Sequence, residues 1–287
     1  MLFLIGLGLG DERDITVKGL EAIKSCKRVF LDAYTSILGV DKGNLEAYYG
    51  VAVTVADREM VESAADPILQ DADTENVAFL VVGDPFGATT HTDLYMRAVQ
   101  RSIPVRVVHN ASIINAVGSC GLQLYSYGPI ITVPFFTDNW RPDSPYHKIA
   151  ANFKAGMHTL CLLDIKVKEQ SEENLLKGRL IYEPPRFMTV RQAVAQLLES
   201  EERNGLSVCT PSTLGVGMMR IGSESQKIIV GTMSELLEVS EDMFGGPLHS
   251  FILPAKDLHE IEFQMLQLYA LPNSVIKSVT FADYNKH

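Results

Sequence analysis

Cysteine is scarce in this chain, and what there is lies scattered. Cys26, Cys120, Cys161 and Cys209 are separated by 94, 41 and 48 residues. None of these gaps makes a zinc site or a redox pair, so the thiols read as reduced, buried core residues. The seven histidines form no HxH or HxxxH pair, and no metal is expected. Basic residues are also in deficit: 25 Lys and Arg stand against 35 Asp and Glu, a net charge of −10. A chain that coats nucleic acid carries the opposite excess, so direct nucleic-acid binding is not expected. No apolar run approaches the length of a membrane span, which excludes that class too. The apolar start has no Lys or Arg before it and passes into "GDERD" without a cleavage site. It reads as a buried strand rather than a signal peptide, and a cytoplasmic location is expected.

What is present is a large core. The 287 residues are 46% hydrophobic and 21% charged, enough for two domains or one large one. "LFLIG", "RVFLDA", "YYGVAVTVAD", "NVAFLVVGDP" and "IPVRVVH" each contain a strand. Between them "DITVKGLEAIKSC" reads as a helix with Val17, Leu20 and Ile23 on one face and Asp14 as its cap. "ADPILQDA" is a short helix opened by proline, and "HTDLYMRAVQRS" an amphipathic one. Strand and helix in alternation, with near-continuous apolar strands, predict an α/β unit on a mostly parallel sheet.

The second half has a different texture. "MHTLCLLDIKV" reads as one strand, followed by the polar "KEQSEENLLKG". Thr189 is placed to cap a helix with Val190, Val194 and Leu197 on one face. "LSVCTPST", "VGMMRIG", "QKIIVGT" and "PLHSFILPA" read as closely spaced strands of a second, mixed sheet. A closing helix puts Leu258, Ile261, Met265 and Leu268 on one face. The expected domains are 1–113 and 114–271, with a loose polar tail over 272–287.

Three loops carry candidate chemistry. In "GLGLGDERD", Gly6, Gly8 and Gly10 follow a strand, and Asp32 lies 22 residues beyond Gly10. That invites a dinucleotide reading, but the fingerprint is GxGxxG and here the spacing is GxGxG. Asp11, Glu12 and Asp14 would also repel a pyrophosphate, whereas a neutral or cationic ligand would be tolerated. In "VVGDPFGATTHTD", Gly83, Asp84, Pro85 and Gly87 form a tight turn at a strand's carboxyl end. Either this is turn chemistry alone, or Gly87 admits a ligand to the backbone while Asp84 accepts a hydrogen bond. In "HNASIINAVG", Ser112 either caps a helix or helps present backbone N–H groups to a ligand.

Taken together these loops, with "LDAYTS", "VADRE", "WRPDS", "GMHTLCLLDIKVKEQSEENLLKG", "YEPPRFMTVRQAVAQLLE" and "GPLHSFILPA", resemble the diphthine synthase family, in its eukaryotic methyl ester synthase branch. That family lies within the tetrapyrrole methylase-like class of methyltransferases. The resemblance covers most of the chain to about residue 255. It implies two α/β domains with the active site in the cleft between them, usually in a homodimer. It implies S-adenosylmethionine (SAM) as cofactor, and elongation factor 2 as substrate, carrying a histidine modified with a 3-amino-3-carboxypropyl group. Three methyls would go to the amine and one to the carboxylate. Carried over position by position, the family's SAM contacts fall on Leu9, Asp84, Gly87, Ser112, Ile113, Leu163, Ile221 and His249. Ile221 lies where "STLGVGMMRIG" matches the family more loosely. No catalytic base is assigned, although His91 in "TTHTD" is a candidate. The competing readings are a precorrin-type tetrapyrrole C-methyltransferase, a dehydrogenase, and a SAM-gated binder of elongation factor 2 that does not turn over.

Overall fold

A computed structural model describes residues 1–35, 37–170, 174, 176–179 and 181–284. Of the polar run at 168–178, residues 171–173 and 175 lie outside the described residues, as do residues 285–287 of the expected tail. The chain divides into two compact units, Met1–Ala116 with Ile221–Glu224, and Val117–Arg220 with Ser225–His287.

In the first unit, β1 (Leu2–Gly6) and β4 (Val77–Val81) are buried along their whole length. They are central strands of a parallel sheet in the order β3-β2-β4-β1-β5, completed by β2 (Arg28–Asp32), β3 (Thr54–Ala56) and β5 (Val105–Val108). The two-residue period of a strand sorts the apolar side chains onto both faces. Leu2, Leu4, Phe79 and Val81 join one core cluster, and Phe3, Ile5, Ala78 and Leu80 the other. Helix α1 (Val17–Lys24) is capped by Thr16, whose hydroxyl accepts from Gly19 N at 3.0 Å. The expected cap, Asp14, is engaged in the glycine loop instead, and Val17 is exposed.

The second unit holds a mixed sheet, ordered β11-β10-β12-β7-β6. Its strands are β6 (Ile131–Val133), β7 (Thr159–Leu163), β10 (Leu214–Met219), β11 (Lys227–Thr232) and β12 (His249–Leu253). Strand β10 runs antiparallel to both neighbours, while β6 and β7 are parallel. Thr189 caps the helix Val190–Asn204 in a reciprocal box with Gln192, and Val190, Val194 and Leu197 are buried as expected.

Four further expectations fail. "MHTLCLLDIKV" breaks at Asp164, whose N–H donates to Val133 O and whose carboxylate accepts from Phe135 N at 3.0 Å. The residues after the break, β8 (Ile165–Lys166), pair instead with β9 (Arg186–Phe187) in a separate two-stranded sheet. "LSVCTPST" forms no strand, because the N–H groups of Ser207, Val208 and Cys209 all donate to the Glu201 carboxylate, at 2.7–3.0 Å. The closing helix Glu260–Leu268 exposes Ile261 and Leu268 and buries Glu262, Phe263 and Leu266. The described part of the tail is not loose. Ser274 Oγ and Val275 N bind Glu235, Gln267 Nε2 donates to Ile276 O and Val279 O, and the Phe281 and Tyr284 rings pack on Phe263.

Candidate active site

In an open α/β sheet the carboxyl ends of the strands face ligands, because the loops there are free to vary. In the first unit the loops after β1, β4 and β5 meet at that edge. The glycine loop is stitched to the turn after β4 by a reciprocal pair: Gly8 N donates to Gly83 O at 3.2 Å, and Gly83 N to Gly8 O at 2.7 Å. A Cβ on Gly6 would lie 2.6 Å from Gly83 O and 2.8 Å from Asn110 Cβ, so this crossing requires glycine. Asn110 binds the loops together. Its Nδ2 donates to Gly6 O and Asp14 O, at 3.0 and 2.9 Å.

The Asp14 carboxylate occupies the anion position of the glycine loop. Its Oδ2 accepts from Gly10 N at 2.7 Å and Leu9 N at 3.3 Å. These are the backbone donors a dinucleotide site would turn toward pyrophosphate. Asp11 sits beside them, paired to Arg13 at 2.9 Å, and the hydrogen bond from Arg13 holds its carboxyl below the usual range. Asp32, which a dehydrogenase would aim at a ribose, is 2% exposed and engaged by donors of its own chain.

Asp84 closes the second loop. Its Oδ1 accepts from Phe86 N at 2.9 Å; its Oδ2 accepts from Asn110 N at 3.1 Å and lies 2.8 Å from His109 Nδ1. Gly87 packs so tightly on Ser112 that a Cβ would sit 2.7 Å from Ser112 Oγ. The Ser112 hydroxyl accepts from Ile114 N at 3.2 Å, so it does cap the short turn that Ile113 begins. Leu9 is half-buried, and a Cβ on Gly222 would lie 2.7 Å from its Cβ. Ile221, buried beside Gly222, thus belongs with the glycine loop. Leu9, Asp84, Gly87, Ser112, Ile113 and Ile221 therefore all fall in the first unit.

The other two candidates lie in the second unit. Leu163 ends β7 and His249 begins β12, antiparallel neighbours paired through Leu162 and Ser250. His249 Nδ1 accepts from Val190 N at 3.3 Å, which leaves Nε2 to donate to Gly246 O at 3.0 Å. Both nitrogens are satisfied by a neutral ring, and burial pushes its pKa down. His158 is similar: Nδ1 accepts from Ala255 N, Nε2 meets Glu262, and burial outweighs the carboxylate to lower its pKa. The unfolded chain therefore takes up these protons more readily than the folded one. Stability from both rings is full above an ordinary histidine pKa of about 6.5 and falls as pH drops below it. The urea midpoint is expected to be lower at pH 5.5 than at pH 7.5; equal midpoints would contradict the neutral assignment.

Asn110 and the pair Asp32–His91 were not singled out by motif reasoning as parts of the loop scaffold. Asn110 lies inside "HNASI", but nothing in its sequence neighbours points to Gly6 more than a hundred residues away. Among the described residues no group of three or more His, Cys, Asp or Glu is placed to hold a metal, and no helix is long and apolar enough to cross a membrane.

Comparison with known proteins gives the chain a family. The family model of the Tetrapyrrole (Corrin/Porphyrin) Methylases matches residues 1–237. Diphthine methyl ester synthase of Homo sapiens is 56% identical over 282 residues, 97% of this chain and 98% of the relative. The Saccharomyces cerevisiae protein of the same name is 57% identical over 94% of this chain and 89% of its own. A crystal structure from Entamoeba histolytica, described as a candidate diphthine synthase, superposes with a TM-score of 0.83 at 47% identity, covering 94% of this chain and 98% of that one. The chain belongs to the tetrapyrrole methylase family and, within it, to the diphthine synthases, the methyltransferases of diphthamide biosynthesis.

Proposed function

We propose that the protein takes methyl groups from SAM and places them on elongation factor 2, at a histidine already carrying a 3-amino-3-carboxypropyl group. Three go to the amine and one to the carboxylate, leaving a methyl ester. In this reading Leu9, Asp84, Gly87, Ser112, Ile113, Leu163, Ile221 and His249 line the donor site, and the protein works as a homodimer in the cytoplasm. The observation that carries the choice of donor is the glycine loop whose anion position is filled by Asp14. Such a loop disfavours a phosphate and tolerates an adenosyl sulfonium. The choice of acceptor is supported by the printed names of relatives that match nearly the full chain.

When bound, SAM supplies an electrophilic methyl on a sulfonium; the protein binds and aligns donor and acceptor, and each of the three transfers to the amine releases one proton, which water can accept. Alignment alone can supply about 7–11 kcal/mol. Gly6 and Gly87 permit the close backbone approaches that shape the loops, and Asp84 and Asn110 hold those loops in register. In this reading the apolar Leu9 and Leu163 suit adenine or thioether. The test is incubation with labelled SAM and elongation factor 2 bearing the unmethylated precursor, followed by mass spectrometry of the histidine peptide. Four additions are expected, one of them removed by mild base. A product of three base-stable methyls would restrict the activity to the amine, and no incorporation would leave only a binding protein.

A further inference from the structure

Asp32 ends β2 and His91 precedes the helix Thr92–Gln100; both side chains are almost completely buried, at 2% and 0% exposure. Asp32 Oδ1 accepts from Tyr34 N at 3.0 Å and Thr35 N at 3.3 Å. Its Oδ2 accepts from the Thr35 hydroxyl and meets His91 Nε2 at 3.0 Å. A carboxylate offers only acceptors, so His91 Nε2 donates to Asp32. The other ring nitrogen, Nδ1, is buried and has no hydrogen-bond partner among the described residues. Among the described residues, the bond to Asp32 sets the direction of the ring, with Phe79 and Tyr34 edge-on at centroid distances of 5.0 and 6.1 Å.

A histidine whose buried nitrogen has no partner among the described residues is a costly way to fill a core. Its position suggests what it does. The loop from Gly83 to His91 is fastened in front by Gly8 and by the Asp84 bonds to Phe86 and Asn110. At the rear it is fastened by Thr90 Oγ1 to Tyr34 OH, 3.0 Å, and by His91 to Asp32. Gly87 lies between the two anchors.

We propose that Asp32 and His91 form a positioning pair that fixes the rear of the 83–91 loop and thereby sets the Gly87 backbone for the methyl donor. The inference rests on the SAM-dependent reading of the site. Neither residue touches the reacting atoms; both act through the loop.

The experiment compares His91→Gln, His91→Asn and Asp32→Asn, reading the KM for SAM, kcat and thermal unfolding. A glutamine amide reaches the place of Nε2 and can still donate to Asp32. An asparagine amide reaches only as far as Nδ1. His91→Asn and Asp32→Asn are expected to raise the SAM KM about tenfold or more with kcat within about threefold, while His91→Gln stays within about threefold on both. An unchanged KM in His91→Asn and Asp32→Asn, whatever their melting temperatures, would overturn the proposal. So would a loss of kcat shared by both His91 variants together with the acid limb of the pH profile, which would make Nδ1 a proton acceptor. Tyr34→Phe loosens the same rear anchor at a less buried point and guards against misfolding of the other variants. It is expected to raise the KM about threefold, and no change would also count against the pair. Absence of SAM binding by the unsubstituted protein, measured first by calorimetry, would remove the proposed function itself.

Discussion

Asp84→Ala is expected to weaken SAM binding by roughly 10- to 150-fold, equivalent to about 1.5–3 kcal/mol. One carboxylate serves three groups at once: Phe86 N within its own turn, Asn110 N across the sheet edge, and the His109 ring. Alanine frees all three, and both loops lose their shared register. Asp84→Asn separates shape from charge. Its carbonyl oxygen can still accept from Phe86 N, but its NH2 then faces Asn110 N–H, donor against donor. Asparagine should therefore fall between aspartate and alanine in affinity. Calorimetry with SAM and with its demethylated product, beside a thermal melt of each variant, makes the measurement. Wild-type affinity in both folded variants would reduce Asp84 to a turn former.

The largest expected loss of stability follows Glu262→Ala, at about 3–5 kcal/mol. Glu262 is 4% exposed and its carboxylate gathers Gln123 N at 2.9 Å, His259 N at 2.8 Å and His158 Nε2 at 3.1 Å. Burial alone would raise its pKa, but the hydrogen bonds from Gln123, His259 and His158 more than offset this and hold it below the usual range. Its contribution is thus present above an ordinary glutamate pKa of about 4.3 and is lost as pH falls through the lower folded value. Leu268→Ala, on the exposed side of the same helix, should change stability by no more than about 0.5 kcal/mol. Urea denaturation of both variants decides the matter; a Glu262→Ala cost comparable to that of Leu268→Ala would sink the argument.

The same helix shows where sequence reading stops. Its apolar period placed Ile261 and Leu268 inward, yet Glu262 turns into the core, where two distant donors, Gln123 N and His158 Nε2, join the nearby His259 N on its carboxylate. A polar residue recruited by partners 100 or more positions away leaves no local pattern. The Glu201 carboxylate erased an expected strand at shorter range, by taking three N–H groups from the residues that follow its helix. The central strands were legible because they need only continuous apolar side chains, as β1 and β4 do. The glycine loop was legible in its chemistry: the acidic residues after Gly10 argued against pyrophosphate. What the sequence did not disclose is that Asp14 leaves its helix cap to occupy the loop, or that Asn110 holds loop and turn together. Both depend on folding first.

The Asp14 carboxylate on Gly10 N and Leu9 N has a consequence for selectivity in a cell. On the proposed reading of this loop as part of the donor site, ATP and NAD, which carry the same adenosine as SAM, would compete for it. A tethered carboxylate is an intramolecular inhibitor of their phosphates, present at a fixed effective concentration that no metabolite level can dilute. An anionic nucleotide must expel it and then endure its repulsion; a sulfonium leaves it in place. The loop thus discriminates by what it already holds rather than by an added contact.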